Sequence, residues 1–224
     1  MFYALIGDMV KSRMLSSDER NKAQILLRNE LDRLNRERAD QIAANFLITL
    51  GDECQVLMLI TGDPVTAALD LIHAFLPYQI RFAIGCGDIF TKINPEAAIG
   101  ADGPAFHRAR RVIEEMKHEY DARIRFGLSD IEEEEKINTI AMLCDRLASG
   151  WTSKQEDLVF TMLNARISGS RKTQTEISEI KKIGQSTVAS QLKAAGFREY
   201  LAGIQLIRKM VISYTDQNQN TEGE

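Results

Sequence analysis

The sequence predicts an α+β protein: a ferredoxin-like βαββαβ antiparallel sheet with helices on one face, followed by a small all-α helix-turn-helix domain. Three observations carry this. Strand-length apolar runs and helix-period stripes alternate as strand, helix, strand, strand, helix, strand over residues 2–89. From residue 131 onward the periodicity is helical, and helix-start signals recur at Thr152 and Thr173. The charge also changes sign. Residues 1–150 carry 18 Lys and Arg against 24 Asp and Glu, residues 151–210 carry 10 against 5, and residues 211–224 add three negative charges.

Phe2–Ile6 reads as a buried strand ending at Gly7-Asp8. The basic loop KSRML follows, then a helix opened by the S-x-x-E box of Ser16 and Glu19, with Ala23, Leu27, Leu31 and Leu34 along one face. Phe46–Leu50 and Gln55–Ile60 read as strands joined tightly at Gly51-Asp52. A helix follows Pro64, striped by Leu69, Ile72 and Leu76. RFAIGCGDI (81–89) is a fourth strand holding Gly85 and Gly87, which weaken a strand unless something must approach its backbone closely. Beyond a loop, a helix begins near Pro104, and RIRFGL (123–128) is a candidate extra strand. A helix over 131–149 turns Ile137, Ile140, Ala141, Cys144 and Leu147 inward. The EEEE run at 132–135 suits its N-terminal dipole and reads as a solvated face. The expected organisation is a sheet domain over 1–130, a connecting helix over 131–150, the helix-turn-helix domain over 151–210 and a disordered tail over 211–224.

Composition narrows the classes of function. The chain has 224 residues, 44% apolar and 27% charged, as ordinary globular proteins do. No apolar run is long enough to span a bilayer, and MFYALIGDMVKSR lacks the pattern of a signal peptide. Three cysteines without CxxC or Cys/His spacing read as reduced, buried thiols. A cytoplasmic protein without membrane contact is expected.

The hairpin ITLGDECQVLML places Asp52 and Glu53 at a turn. In the expected sheet this turn lies beside the end of the first strand, so Asp8 meets the pair in space. Carboxylates gathered this way repel unless a cation neutralises them, and Mg²⁺ takes one or two protein carboxylates plus phosphate oxygens and water. Asp8, Asp52 and Glu53 are therefore candidate ligands of Mg²⁺ or Mn²⁺. Lys11, Ser12 and Arg13, in the next loop, are candidates for holding phosphate. Two unrelated turns, each with an Asp, are the plain alternative.

IGDMVKSR, LGDECQ, RFAIGCG and GPAFHRARR resemble the SatD family of bacterial proteins over most of the chain. The first 125 or so residues also resemble class III nucleotidyl cyclases and, more distantly, GGDEF domains. That resemblance puts Asp8 and Asp52 on the cyclase metal aspartates and RFAIGCG on its R-x-G-I-H-x-G strand. It puts His107 and Arg111 on the Asn and Arg that serve the triphosphate, as candidate catalytic residues four positions apart on one helical face. It also implies a homodimer in which Arg111 of one subunit faces Asp8 and Asp52 of the other. Ile48 and Gly100 stand where cyclases read the purine, and neither can do so.

TQTEISEIKKIGQSTVASQLKAAGFREY (173–200) resembles a helix-turn-helix. Ile177, Ser178, Ile180, Ile183, Val188 and Leu192 occupy the inward positions, with Lys182 where glycine is usual. Gln185, Ser186, Thr187 and Ser190 are the candidate base-reading residues. Lys181, Lys182 and Lys193, with Arg171, Lys172 and Arg198, are the candidate phosphate anchors on duplex DNA. A helical bundle for self-association, with Trp151, Phe160 and Phe197 at its core, is the alternative. The reading that uses both halves is a DNA-binding regulatory protein whose cyclase-like domain binds a divalent metal and a nucleotide or other phosphate ligand. A Mg²⁺-dependent nucleotidyl cyclase-like enzyme and a non-catalytic adaptor stand beside it.

Overall fold

A computed structural model describes residues 1–49, 51–118, 122–167 and 173–221, with side chains to residue 218. Strands β1 (Phe2–Met9), β2 (Ile42–Ile48), β3 (Glu53–Leu59), β4 (Ile80–Gly87) and β5 (Ile124–Gly127) form one sheet in the order β2-β3-β1-β4-β5. The first four pair antiparallel, as the sequence order predicts, and β5 joins β4 in parallel. Strand β1 runs three residues past its expected end, which puts Asp8 inside the ladder.

Alternation along β1 divides the core. Tyr3 and Leu5 face α1 (Ser17–Glu37) and α2 (Pro64–Ala74), the two helices of the βαββαβ unit, which share one face as expected. Ala4 and Ile6 face α3 (Pro104–Met116), which lies outside that unit and covers the opposite side of the sheet. The close approach of α3 accounts for the strand glycines. A Cβ on Gly85 would sit 2.0 Å from the Ala105 carbonyl oxygen, and one on Gly127 would sit 2.8 Å from that of Arg108.

The C-terminal part is helical: α4 (Ile131–Ala148), α5 (Ser153–Ile167), α6 (Gln174–Lys181), α7 (Gln185–Ala194) and α8 (Phe197–Thr221). Its start signals hold. Thr152 with Gln155 and Thr173 with Glu176 form reciprocal caps, as Ser16 with Glu19 does on α1. The core is continuous from the sheet into these helices, joining Leu5 and Phe82 to Leu163, Tyr200 and Tyr214.

Two expectations need correction here. Residues 211–221, read as disordered from their polar run, continue α8 instead. Val211, Tyr214 and Thr215 are buried, and the hydroxyls of Tyr3 and Thr215 hydrogen-bond at 3.2 Å, so the tail has partners the local composition does not reveal. The EEEE run is not wholly solvated, because Glu134 is buried and accepts from the Leu128 amide at 2.6 Å. The connector residues 168–172, with Arg171 and Lys172, lie outside the described residues.

Candidate functional site

Asp8 and the hairpin meet at one end of the sheet, as topology requires. Asp8 pairs in register with Glu53 on β3 and with Arg81 on β4, so all three lie on the α3 side. The Met9 amide donates to the Asp52 carbonyl oxygen at 2.9 Å, which seats the turn beside the strand end. The structure thus brings Asp8, Asp52 and Glu53 together.

Each carboxylate already has a partner. Arg110 of α3 donates to both oxygens of Glu53, at 2.6 and 2.9 Å, and Thr49 Oγ1 adds a contact at 3.1 Å. Asp8 Oδ2 lies 3.2 Å from Arg81 Nε. Ser12 Oγ donates to Asp52 Oδ2 at 2.5 Å. Burial raises the Asp8 carboxyl above its ordinary range, against the pull of the Arg81 and Lys117 charges, and the nearby Asp52 and Glu53 push it further up. The positive charge that the sequence assigned to Mg²⁺ or Mn²⁺ is supplied here by arginines. Both oxygens of Glu53 are engaged, and among the described residues no group of three or more His, Cys, Asp or Glu side chains is arranged to hold a metal ion. The expected three-carboxylate donor set does not fit a metal as it stands.

In the loop after β1 the three phosphate candidates are placed differently. Lys11 takes the left-handed backbone, φ 57°, and turns the chain. Ser12 is buried toward Asp52, its carbonyl oxygen held by Arg20 at 3.0 Å, while Arg13 is exposed. Of the three candidates, Ser12 joins the carboxylate cluster rather than facing solvent.

His107 and Arg111 do not reach the cluster. α3 runs antiparallel to β4, with its first turn over Gly87 and its last at Arg81, which donates to the Met116 carbonyl oxygen. His107 sits near the far end, exposed and 2.7 Å from Asp102. Arg111 is turned toward α4, where it grips both oxygens of Glu134 at 2.7 Å. Within this chain His107 hydrogen-bonds an exposed carboxylate and Arg111 forms a strut between two helices. The residue that does reach the carboxylates is Arg110, which the sequence reading missed. One position on a helix is a turn of about 100°, enough to send neighbouring arginines to different walls.

The helix-turn-helix candidate is built as two short helices against α5 and α8. Ile177, Ser178, Val188 and Leu192 are buried. Lys182 adopts the left-handed cap, φ 53°, in the position where glycine is usual, and the Ile183 amide bonds back to the Ser178 carbonyl oxygen at 3.0 Å. Ile180, within α6, and Ile183, just after its cap, are exposed rather than inward. Lys181 is half-buried, with its Nζ 2.5 Å from Asp157 of α5, which ties it to the scaffold. Lys182, Gln185, Ser186, Thr187, Ser190, Lys193 and Arg198 are all exposed.

No helix among the described residues is long and apolar enough to cross a membrane. Comparison with curated proteins returns no match. A model described as the SatD family matches residues 2–211, nearly the whole chain, and the protein belongs to that family.

Proposed function

We propose that this is a DNA-binding regulatory protein that presents α7 to the major groove. One observation carries the reading: the outer side of α7 is a continuous run of short polar side chains, Gln185, Ser186, Thr187, Ser190 and Gln191, uncovered by any other part of the described chain and flanked by Lys182 and Lys193. Buried Val188 and Leu192 fix the rotation of the helix, so the polar side faces outward by construction. Side chains of this kind at the start of a second helix suit base edges and phosphates, and a basic rim supplies the electrostatic part of affinity. Two copies reading two half-sites belong to the same proposal. The sheet then serves as the scaffold that holds the helices, and a nucleotide or phosphate ligand is not needed for DNA contact.

Fluorescence anisotropy on labelled duplex DNA at rising salt tests this. The logarithm of affinity is expected to fall linearly with the logarithm of salt concentration. Lys182→Glu with Lys193→Glu is expected to weaken binding on every sequence and flatten that slope by about two units, one per lost phosphate contact. Binding that is absent at low salt, or that ignores the double substitution, removes the proposal.

A further inference from the structure

Which base pairs α7 can read follows from the side chains on its outer surface, given the DNA-binding role proposed above, on which this inference rests. Ser186 and Ser190 each stand two positions from buried Val188, about 200° round the helix, so they form the ridge furthest from the core. Thr187 and Ala189, one position either side of Val188, flank that ridge on opposite sides, and Gln185 opens the helix. All five are exposed. In a helix-turn-helix the first residues of the second helix are the ones that meet base edges. From Gln185 to Ser190 the helix rises about 7.5 Å, the height of about two base-pair steps.

Chemistry narrows what this stretch can recognise. Residues 185–190 read QSTVAS and hold no charged side chain. Guanine is read most often by Arg or Lys on its O6 and N7, and cytosine by Asp or Glu on its N4 amino group. Lys182 and Lys193 stand before and after the stretch, where they meet backbone phosphates instead. The groups that are present match an A·T pair. A glutamine amide offers a donor and an acceptor side by side, the complement of adenine N7 and N6. The methyl groups of Thr187 and Ala189 suit the C5-methyl of thymine, an apolar feature that a G·C pair lacks. Ser190 is compatible without deciding the matter. Its Oγ donates to the Thr187 carbonyl oxygen at 3.0 Å, which leaves the hydroxyl as an acceptor for the amino group of adenine or cytosine.

From these features we infer that α7 reads a short run of A·T pairs, two or three in each half-site, with Gln185 on adenine and with Thr187 and Ala189 on thymine methyl groups. Lys182 and Lys193 set the position of the helix and carry no sequence preference.

The full-length chain is first used to enrich binders from a pool of random duplex DNA, and the enriched core is expected to be A·T. Uracil is then placed at every thymine of that core, which removes the C5-methyl and leaves the pairing edge intact. Fluorescence anisotropy at fixed salt is expected to show binding weakened by about tenfold. Thr187→Ser with Ala189→Ser is expected to bind the thymine and uracil duplexes alike, with the circular dichroism of the wild type. Gln185→Arg is expected to exchange one A·T pair of the enriched core for G·C. A core rich in G·C, no enriched core, or equal affinity of the wild type for the thymine and uracil duplexes overturns the inference and leaves DNA binding itself in place. So does a folded Thr187/Ala189 variant that still tells the two duplexes apart, or a Gln185→Arg variant that keeps the wild-type core. No binding to any duplex at low salt removes the DNA-binding role, and the inference with it.

Discussion

The acidic end of the sheet and the outer side of α7 are both polar surfaces picked out by motif, yet they are built in opposite ways. At the sheet end the chain satisfies its own charges: Glu53 with Arg110, Asp8 with Arg81, Asp52 with Ser12. Along α7 the polar side chains stand clear of the rest of the described chain, and only the buried side is tied down. The contrast teaches that a cluster of functional residue types becomes structural once neighbouring elements supply the complementary charge. A polar surface with nothing across from it keeps its capacity for a partner.

The comparison breaks most visibly if α3 is lifted from the sheet. Gly85→Ala drives a Cβ into the Ala105 backbone, 2.0 Å away, where no flexible side chain can yield. We expect a loss of about 3 kcal/mol or more in urea unfolding. An unchanged midpoint contradicts the close seat of α3. Next in size is Arg110→Ala, which leaves Glu53 buried without its counter-charge. Because the Arg110 side chain is itself nearly half exposed, about 2 kcal/mol is expected rather than the full cost of breaking a buried pair. Adding Glu53→Gln to Arg110→Ala should recover part of that loss. No recovery indicates that the loss came from packing of the arginine stem.

Much of this fold is legible in the sequence, for reasons that are local. The caps at Ser16, Thr152 and Thr173 each combine a hydroxyl with an acid or amide three residues on, a pattern that fixes a helix start without tertiary help. Gly85 announces a close approach but not the partner, which turns out to be α3, twenty residues later in the chain. The meeting of Asp8 with the hairpin follows from strand order alone. What neutralises them does not, because Arg110 and Arg111 are adjacent in sequence and differ only in which way the helix turns them. Lys181 and Lys182 pose the same problem, one tied to Asp157 and the other exposed. The polar run after residue 215 hides a helix, because its anchors, Val211, Tyr214 and Thr215, lie just upstream.

A smaller effect sharpens the sheet side of the comparison. Burial holds the Asp8 carboxyl above its ordinary range in the folded chain, with Arg81 pulling the other way. The folded state therefore binds this proton more tightly than the unfolded one. Ionised Asp8 costs stability at neutral pH, and the cost fades as pH falls below the raised value. Asp8→Asn should accordingly melt higher than wild type at neutral pH, with the gap closing below about pH 4. A variant that melts lower than wild type at neutral pH, together with a wild-type midpoint that rises on adding Mg²⁺, contradicts this and restores a metal to the site. The smallest effect belongs to α7: Gln185→Ala with Thr187→Ala should leave stability within about 0.5 kcal/mol of wild type, as for side chains that touch little else.

Selection from a pool of random duplex DNA tests the central claim most directly. The full-length protein is expected to enrich a defined sequence, and Gln185→Ala with Thr187→Ala to lose that enrichment while still binding DNA with the wild-type dependence on salt. Recovery of an unenriched pool by the wild type, or of the same sequence by the α7 variant, contradicts the assignment of base reading to α7.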